Sequence, residues 1–548
     1  MPSIAQSDFV NAVSKARGES PEADTLVIPV SIRVLADQLT PVLAYRRLVS
    51  RDQRTAPSFL LESVEGGDQQ GRYSLLAAHP MMEVVAHANE TTVTDHRHGE
   101  STSRTTTEPD PLDKLRTISA DWKQVIPQET ADRGVLPTCV LGGWFGYAGY
   151  DSVRYAEPTK LSFDDAPQDD RHLPELAFGF YDELVIFDHV DKVIHLVKLV
   201  FVEPANDPSA QYTGAMSALD QLAEQVQEHS KPLPLGRVAS TRPSTNSPMP
   251  CNTTREQHAA MIERAKEYIN QGDIFQVVLG HRFERRANAD PFDVYRALRA
   301  VNPSPYMVYM QTAGCILVAS SPEILCRVRK DESAAGKFTV TNRPLAGTRR
   351  RGKTPEDDQA MEADLLADPK EISEHSMLVD LGRNDVGMVA EPGTIELSKL
   401  MSIERYSHVM HISSTVTGTI RQGLDCWDAL RAALPVGTIS GAPKIRAMQI
   451  IDELEKVRRG PYGGGLGWVS LDQEMDIALT LRTIVVPLDR FDEHNTQGHW
   501  AYHIQAAGGI VADSVPELEF KETVNKAAAL GAAIDLAISA FDQATHQD

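Results

Sequence analysis

The chain has 548 residues, with 54 Lys+Arg against 76 Asp+Glu and a formal net charge of −22. With 42% hydrophobic and 24% charged residues the composition is globular, and the acidic balance excludes a broad nucleic-acid-binding face while leaving room for a locally positive pocket. The five cysteines, Cys139, Cys251, Cys315, Cys326 and Cys426, form no CxxC pair, which is the usage of a reduced protein without a disulfide framework or zinc knuckle. The first twenty residues carry no apolar signal core, and no uncharged apolar run reaches the roughly 18 residues of a membrane-spanning helix. A soluble, cytoplasmic protein is expected, with neither nucleic acid nor membrane as a partner.

The length exceeds that of one small module. Residues 90–111 are polar and Thr-rich without apolar periodicity, and read as an exposed loop between strands. Residues 183–203 are apolar and β-branched, interrupted at Val190-Asp191-Lys192, which predicts a hairpin. Residues 228–254 hold five prolines and many Ser/Thr, a composition that buries no core. The expected division is therefore 25–230, a linker over 231–253, and 254–530. Helical spacing of Ala259, Ile262 and Ala265 predicts a helix over 255–273 that stops near Gly272. Residues 274–283 and 314–320 read as strands, 368–387 and 514–541 as helices. Helices and strands alternate without a regular βαβ period, so the class is α+β.

Glu371 and Glu374 stand i, i+3 on one of these helices, and Glu519, Glu522 and Lys526 share a face of another. Facing each other, the two pairs would make an oxygen-rich site for a hard cation such as Mg²⁺. Each pair alone is more often a solvated helix face, and spacing does not say whether the helices meet. Glycine-rich segments recur at 437–444, 462–467 and 507–509, where backbone N–H groups approach a carboxylate or phosphate closely. None is a Walker loop or a dinucleotide fingerprint, and each alone is commonly a turn. Residues 343–352 concentrate four arginines, ordinarily a basic surface loop, although Gly347-Thr348 lies in a constrained context. His411 lies in an apolar stretch, where a lone histidine is usually a satisfied core residue and less often a general acid/base. No cysteine lies in a Cys/His nucleophile signature, so no glutaminase centre is expected.

The ordered set Asp273-Ile-Phe-Gln276, Asn302-Pro-Ser-Pro-Tyr306-Met307, Ser321-Pro-Glu323, 343–348, 370–375, 381–385, 405–411, 437–444, Tyr462-Gly-Gly, Arg482 and Asn525-Lys526 resembles the chorismate-utilising enzymes over about 254–530. Leu60-Leu-Glu62-Ser63, Gly71-Arg-Tyr73-Ser74 and Gly143-Trp-Phe-Gly-Tyr147 are similar to the N-terminal region of anthranilate synthase large subunits, including its tryptophan-binding element. The resemblance implies two large, mostly antiparallel sheets packed as a sandwich with flanking helices. It also implies a Mg²⁺-dependent lyase: ammonia from a glutamine amidotransferase subunit, in an assembly of two large and two small subunits, converts chorismate to anthranilate and pyruvate.

Carried over by motif, Glu374 and Glu522 would ligate Mg²⁺ and Glu371 and Glu519 would hold its waters. Tyr462 and Arg482 would grip the enolpyruvyl carboxylate, with Gly347, Thr348, Thr438, Ala507, Gly508, Gly509 and Lys526 completing the site. Glu323 is the implied acid for the departing hydroxyl and His411 a further acid/base. Glu62, Ser63, Pro305, Tyr306 and Met307 would bind tryptophan as a feedback inhibitor, away from the chorismate site. This chain reads Ala507 where the family commonly has glycine. Isochorismate-forming relatives place a water-activating lysine where Gln276 stands, and many aminodeoxychorismate synthases place a nucleophilic lysine where Ala346 stands. Both positions favour direct ammonia addition. The alternatives are an aminodeoxychorismate synthase component I or a catalytically silent tryptophan-sensing paralogue, against which the full set of charged site residues speaks.

Overall fold

The computed structural model describes residues 2–19, 25–65, 69–97, 99–229, 233–238, 249–331, 334, 336–406, 409–495 and 498–541. Most of the Pro/Ser/Thr linker, 231–232 and 239–248, lies outside these residues. Two twelve-stranded sheets face each other. The first runs in space from Gly441–Ala442 through Gln276–Ala287, Trp500–Ile510, Thr483–Pro487, Cys315–Ser321 and Tyr306–Thr312. It continues into Ser58–Glu62, Tyr73–Ala78, Glu183–Asp188, Val193–Val202, Thr25–Leu35 and Trp122–Gln124, the last pair being parallel and the others antiparallel. The second sheet runs from Leu345–Arg350 through Val409–Thr419 and Ile324–Lys330 to Gly465–Ser470, and then to Gly143–Ala148 and Thr102–Thr107 at its far edge.

The expected α+β sandwich with flanking helices is therefore the observed architecture. The division at the linker is a boundary in sequence and not between sheets. Met307 pairs with Glu62 in the first sheet and Gly467 with Gly146 in the second, so both sheets are continuous across the two halves.

Period-two alternation explains the layers. On Thr25–Leu35, Leu26, Ile28 and Val30 face the outer core with the helices Pro208–Gln227 and Pro516–Phe541, while Val27 faces the core between the sheets. The expected hairpin at 183–203 is present, turning at Lys192 with φ +57°. The loop expected over 90–111 is instead a hairpin of Glu90–Asp95 and Thr102–Thr107, with Thr92–Thr105 and Thr94–Ser103 hydroxyl contacts of 2.8 and 3.0 Å. At a sheet edge most of these side chains meet solvent, so the strands carry no apolar alternation; β-branched threonine holds them extended.

The helix Pro516–Phe541 is long and apolar enough by length and composition to cross a membrane. Here Ala527, Leu530, Ala533, Ile534 and Ala537 are buried in the outer core, and Asp535 is paired with Arg285 at 2.8 Å. It is a core helix of the sandwich.

Candidate active site and inter-sheet cavity

The helix Pro369–Val389 begins under an Asp368 N-cap and packs on Leu345–Arg350 and Val409–Thr419. Its first turns bring Glu371 and Glu374 to two glycine-lined walls. A Cβ on Gly347, which has φ +64°, would stand 3.1 Å from Glu371 Oε2, and one on Gly509 would stand 3.8 Å from Glu374 Oε1. Glu519 Oε2 approaches Gly508 in the same way, at 3.3 Å. The two carboxylate-bearing helices do face each other: Glu374 lies in the field of Glu371, Lys526 and Glu522, and Glu519 in that of Glu522, Lys370 and Lys526. Burial, reinforced by neighbouring carboxylates, holds Glu371, Glu374 and Glu519 above the usual carboxylate range. Lys526 Nζ bridges Glu522 at 2.7 Å and the Ala507 carbonyl at 2.9 Å.

Among the described residues no three His, Cys, Asp or Glu side chains converge as a closed metal cluster. A Mg²⁺ site does not need one, because this ion keeps several waters and takes few carboxylates. All-oxygen donors, crowded and pushed toward protonation by burial and their neighbours, are chemically suited to such an ion.

Glu323 is 3% exposed, accepts from Thr438 Oγ1 at 3.1 Å and from the Leu345 backbone, and is pushed by desolvation to about 8. The Thr438 loop is fixed from behind, where buried Arg459 donates to the Ile439 and Val278 carbonyls at 2.7 Å while paired with Glu455. His411 Nδ1 lies 2.8 Å from the Gly347 carbonyl and 3.1 Å from Thr348 Oγ1. With Nδ1–H donating to that carbonyl, Nε2 carries the lone pair, and Nε2 is buried without a partner among the described residues. Burial, then Arg482, lowers the imidazole to about 4. The environment thus inverts the ordinary order: at neutral pH the carboxyl of Glu323 carries a proton and the imidazole of His411 is neutral.

Arg482 stands at φ +44°, an uncommon conformation for a residue with a side chain. Desolvation lowers its guanidinium, opposed by Tyr406 and Glu323, and it makes no side-chain hydrogen bond or ion pair among the described residues. Tyr462 is buried, and its phenol oxygen accepts from the Ala507 backbone. The alanine at 507 is accommodated because its strand is extended and it pairs opposite Gly280, where a Cβ would come within 2.8 Å of its own. Gln276 is 3% exposed, with Oε1 unpartnered among the described residues and Nε2 against Gly509. The structure thus brings together the residues assigned from the family motifs at the ends of the two sheets.

The five residues expected for tryptophan, Glu62, Ser63, Pro305, Tyr306 and Met307, all line one cavity of about 650 Å³ between the sheets. Glu62 is pinned by Tyr295 and Arg299, both at 2.7 Å, and Tyr306 donates to Asp476 at 2.8 Å. Asp476 is held in addition by Arg327 and Arg329, at 3.0 and 2.8 Å. The partners of Glu62 and Tyr306 have no sequence signature: Arg327 and Asp476 lie 149 residues apart, and neither stands in a patterned motif. The cavity is also less remote from the catalytic groups than expected, since its lining includes Pro322 and Ile324, the neighbours of Glu323, as well as Leu345 and Tyr406.

The two sheets thus bring a buried carboxyl, a neutral imidazole and an arginine with no partner among the described residues together at one end. The family model for chorismate-binding enzymes matches residues 56–532, and the chain belongs to that family, in its anthranilate synthase component I branch. It is 51% identical over 529 residues to an anthranilate synthase alpha subunit of Oryza sativa subsp. indica, covering 94% of this chain and 89% of that protein. It is 41% identical over 513 residues to anthranilate synthase component 1 of Acetivibrio thermocellus, covering 93% and 96%. The crystal structure of anthranilate synthase component I from Streptococcus pneumoniae superposes with TM-score 0.65 at 30% identity, covering 91% and 99%. The expectation of a cytoplasmic location is overturned by these names: the rice protein and its Arabidopsis thaliana counterparts, at 49–51% identity, are chloroplastic. Unpaired cysteines mark a reducing environment and do not separate one reducing compartment from another.

Proposed function

We propose that the chain is the synthase subunit of a Mg²⁺-dependent anthranilate-forming lyase, which takes chorismate and ammonia to anthranilate, pyruvate and water in tryptophan biosynthesis. The reading is carried by the electrostatics around Arg482, a largely enclosed guanidinium without a partner among the described residues, beside a proton-bearing Glu323 and a neutral His411 whose Nε2 carries no proton. Arg482 offers a planar two-point grip to the enolpyruvyl carboxylate, which Tyr462 would join. Glu374 and Glu522 would hold Mg²⁺ directly, with Glu371 and Glu519 on its waters; when bound, the ion neutralises the ring carboxylate.

Ammonia attacks ring carbon C2. The C4 hydroxyl leaves as water, taking the proton from Glu323, whose carboxyl is oriented by Thr438. Loss of the C2 proton and of the enolpyruvyl group as pyruvate then restores aromaticity, and the lone pair on His411 Nε2 is available to a proton in that step. Neutral Gln276 activates no water and Ala346 forms no adduct, so ammonia remains the nucleophile.

Ammonia would come from a glutamine amidotransferase subunit, and tryptophan would bind in the inter-sheet cavity as inhibitor. The test is direct. The isolated chain with chorismate, Mg²⁺ and an ammonium salt at alkaline pH should produce anthranilate fluorescence, and glutamine should not replace ammonium. Formation of 4-amino-4-deoxychorismate or isochorismate instead would overturn the assignment.

A further inference from the structure

Between the inter-sheet cavity and His411 stands a layer of three interacting residues. Arg343, Glu404 and Tyr406 all line the cavity. Arg343 is ion-paired with Glu404, and the Tyr406 hydroxyl donates to the same carboxylate at 2.9 Å. On its other side the Tyr406 ring stands edge-on to the His411 ring, centroids 5.6 Å apart, and the residue lies within the field felt by Arg482. Arg343 Nε also donates to Ser413 Oγ at 3.2 Å, two residues along the strand that carries His411. Arg351 anchors the Tyr406 carbonyl at 2.6 Å.

The arrangement is asymmetric. His411 is fixed at Nδ1 by Gly347, but the plane of its ring, and so the aim of Nε2, is bounded by the Tyr406 ring. Tyr406 is held through its hydroxyl by a carboxylate that belongs to the cavity wall. A ligand pressing on Glu404 or Arg343 therefore acts on the aim of Nε2 through one aromatic side chain, with no long chain of intermediates.

We propose that Tyr406 is a positioning residue for His411, held from behind by the Glu404–Arg343 pair, and that this partition is the route by which an occupant of the cavity lowers turnover. The second half rests on the reading of the cavity as a tryptophan site; the first half does not.

A double-mutant cycle tests the first half without any inhibitor. Tyr406→Leu should lower kcat about tenfold with the KM for chorismate within about twofold. In a His411→Ala background the same change should cost less than about twofold. Equal losses in both backgrounds, or full turnover in His411→Ala alone, overturn the positioning role. Thermal unfolding of each variant separates this from misfolding, and Tyr406→Phe, which keeps the ring, provides a milder perturbation.

In Tyr406→Phe the Kd for tryptophan, from titration calorimetry, should stay within about twofold of the parent while the inhibitory concentration rises about tenfold, because binding and inhibition are uncoupled. Inhibition that tracks binding as in the parent overturns the coupling route. If the parent binds no tryptophan, the reading of the cavity falls and the coupling with it, whereas the cycle with His411 still decides the positioning role.

Discussion

The two polar regions of this protein treat buried charge in opposite ways. At the sheet ends, the guanidinium of Arg482, Oε1 of Gln276 and Nε2 of His411 have no partner among the described residues, and three glutamates sit together above their usual range. In the inter-sheet cavity Glu62 and Asp476 are fully engaged by Tyr295, Arg299, Tyr306, Arg327 and Arg329. An unpaired buried charge costs stability that a ligand of opposite sign restores, so the first region is built to change when it binds. A pre-satisfied cavity gains little charge compensation from a ligand and selects by shape and apolar contact instead. On the proposed reading, substrate recognition would rest on electrostatics and inhibitor recognition on fit.

The sharpest way to break the comparison is at the carboxylates. Glu374→Gln or Glu522→Gln should reduce turnover by more than about 10²-fold at saturating Mg²⁺, beyond the loss of an outer-shell metal partner. Glu374→Gln should leave thermal stability unchanged or raised, since one charge leaves a repelling cluster, whereas Glu522→Gln also gives up the half-exposed pair with Lys526 and should change it little. Mg²⁺ titration calorimetry provides the independent readout, and wild-type Mg²⁺ affinity in either variant would remove its glutamate from the metal assignment. Arg482→Met is next: kcat/KM should fall about 10²-fold, the value of a charge-assisted two-point contact of about 3 kcal/mol. The apo protein should melt higher, because an uncompensated cation has left an enclosed site. A lower melting point with retained turnover would mean that Arg482 serves the fold.

Much of this region was readable in advance because its chemistry is periodic or motif-bound. The i, i+3 glutamates and the glycine runs each stood out locally, 368–387 and 514–541 read as helices, and Arg482 came with the family resemblance. What was not readable depends on tertiary approach. The facing of the two glutamate helices comes from the sheets between them, the left-handed φ of Arg482 has no residue signature, and Tyr406 is one aromatic among fourteen tyrosines. The hairpin at Glu90–Asp95 and Thr102–Thr107 was misread for the opposite reason. Its pairing is regular, but its exposed faces erase the apolar pattern that would have revealed it.

The acid–base pair sharpens the same contrast through pH. Glu323 titrates near 8 in the folded protein and near 4.5 unfolded, so above 4.5 the folded form is disfavoured by holding a proton the unfolded chain has released. That cost grows with pH up to about 8 and is then constant. Glu323→Gln should remove it, so the variant gains stability relative to the parent as pH rises from 5 to 8. Its turnover should fall about 10²-fold with loss of the acid. In the parent, kcat/KM should decline above about 8 as the carboxyl ionises. A profile flat to pH 10, followed by anthranilate fluorescence, would relieve Glu323 of the acid role.

The smallest effect is expected in the cavity, where binding is a matter of fit. Ser63 follows the strand Ser58–Glu62, and its carbonyl accepts from the Gly71 N–H at 2.7 Å. A Cβ on Gly71 would come within 2.6 Å of Ser63 Cβ, so the two backbones are in close contact and Ser63 has little freedom to retreat. A larger side chain at 63 must therefore extend into the cavity that Ser63 lines. Ser63→Phe should occupy part of the about 650 Å³ and raise the tryptophan concentration for half inhibition about tenfold. Turnover without tryptophan should change less than about twofold, since Ser63 is not among the cavity residues that flank Glu323 or His411. If Ser63 is only the end of a strand, the same change will instead lower the unfolding temperature and turnover together and leave the inhibitory concentration where it was. Gly71→Ala distinguishes the two readings from the other side: it displaces Ser63 without filling the cavity, and should weaken tryptophan binding less than Ser63→Phe for a comparable loss of stability. Equal weakening by both would place the inhibitor elsewhere.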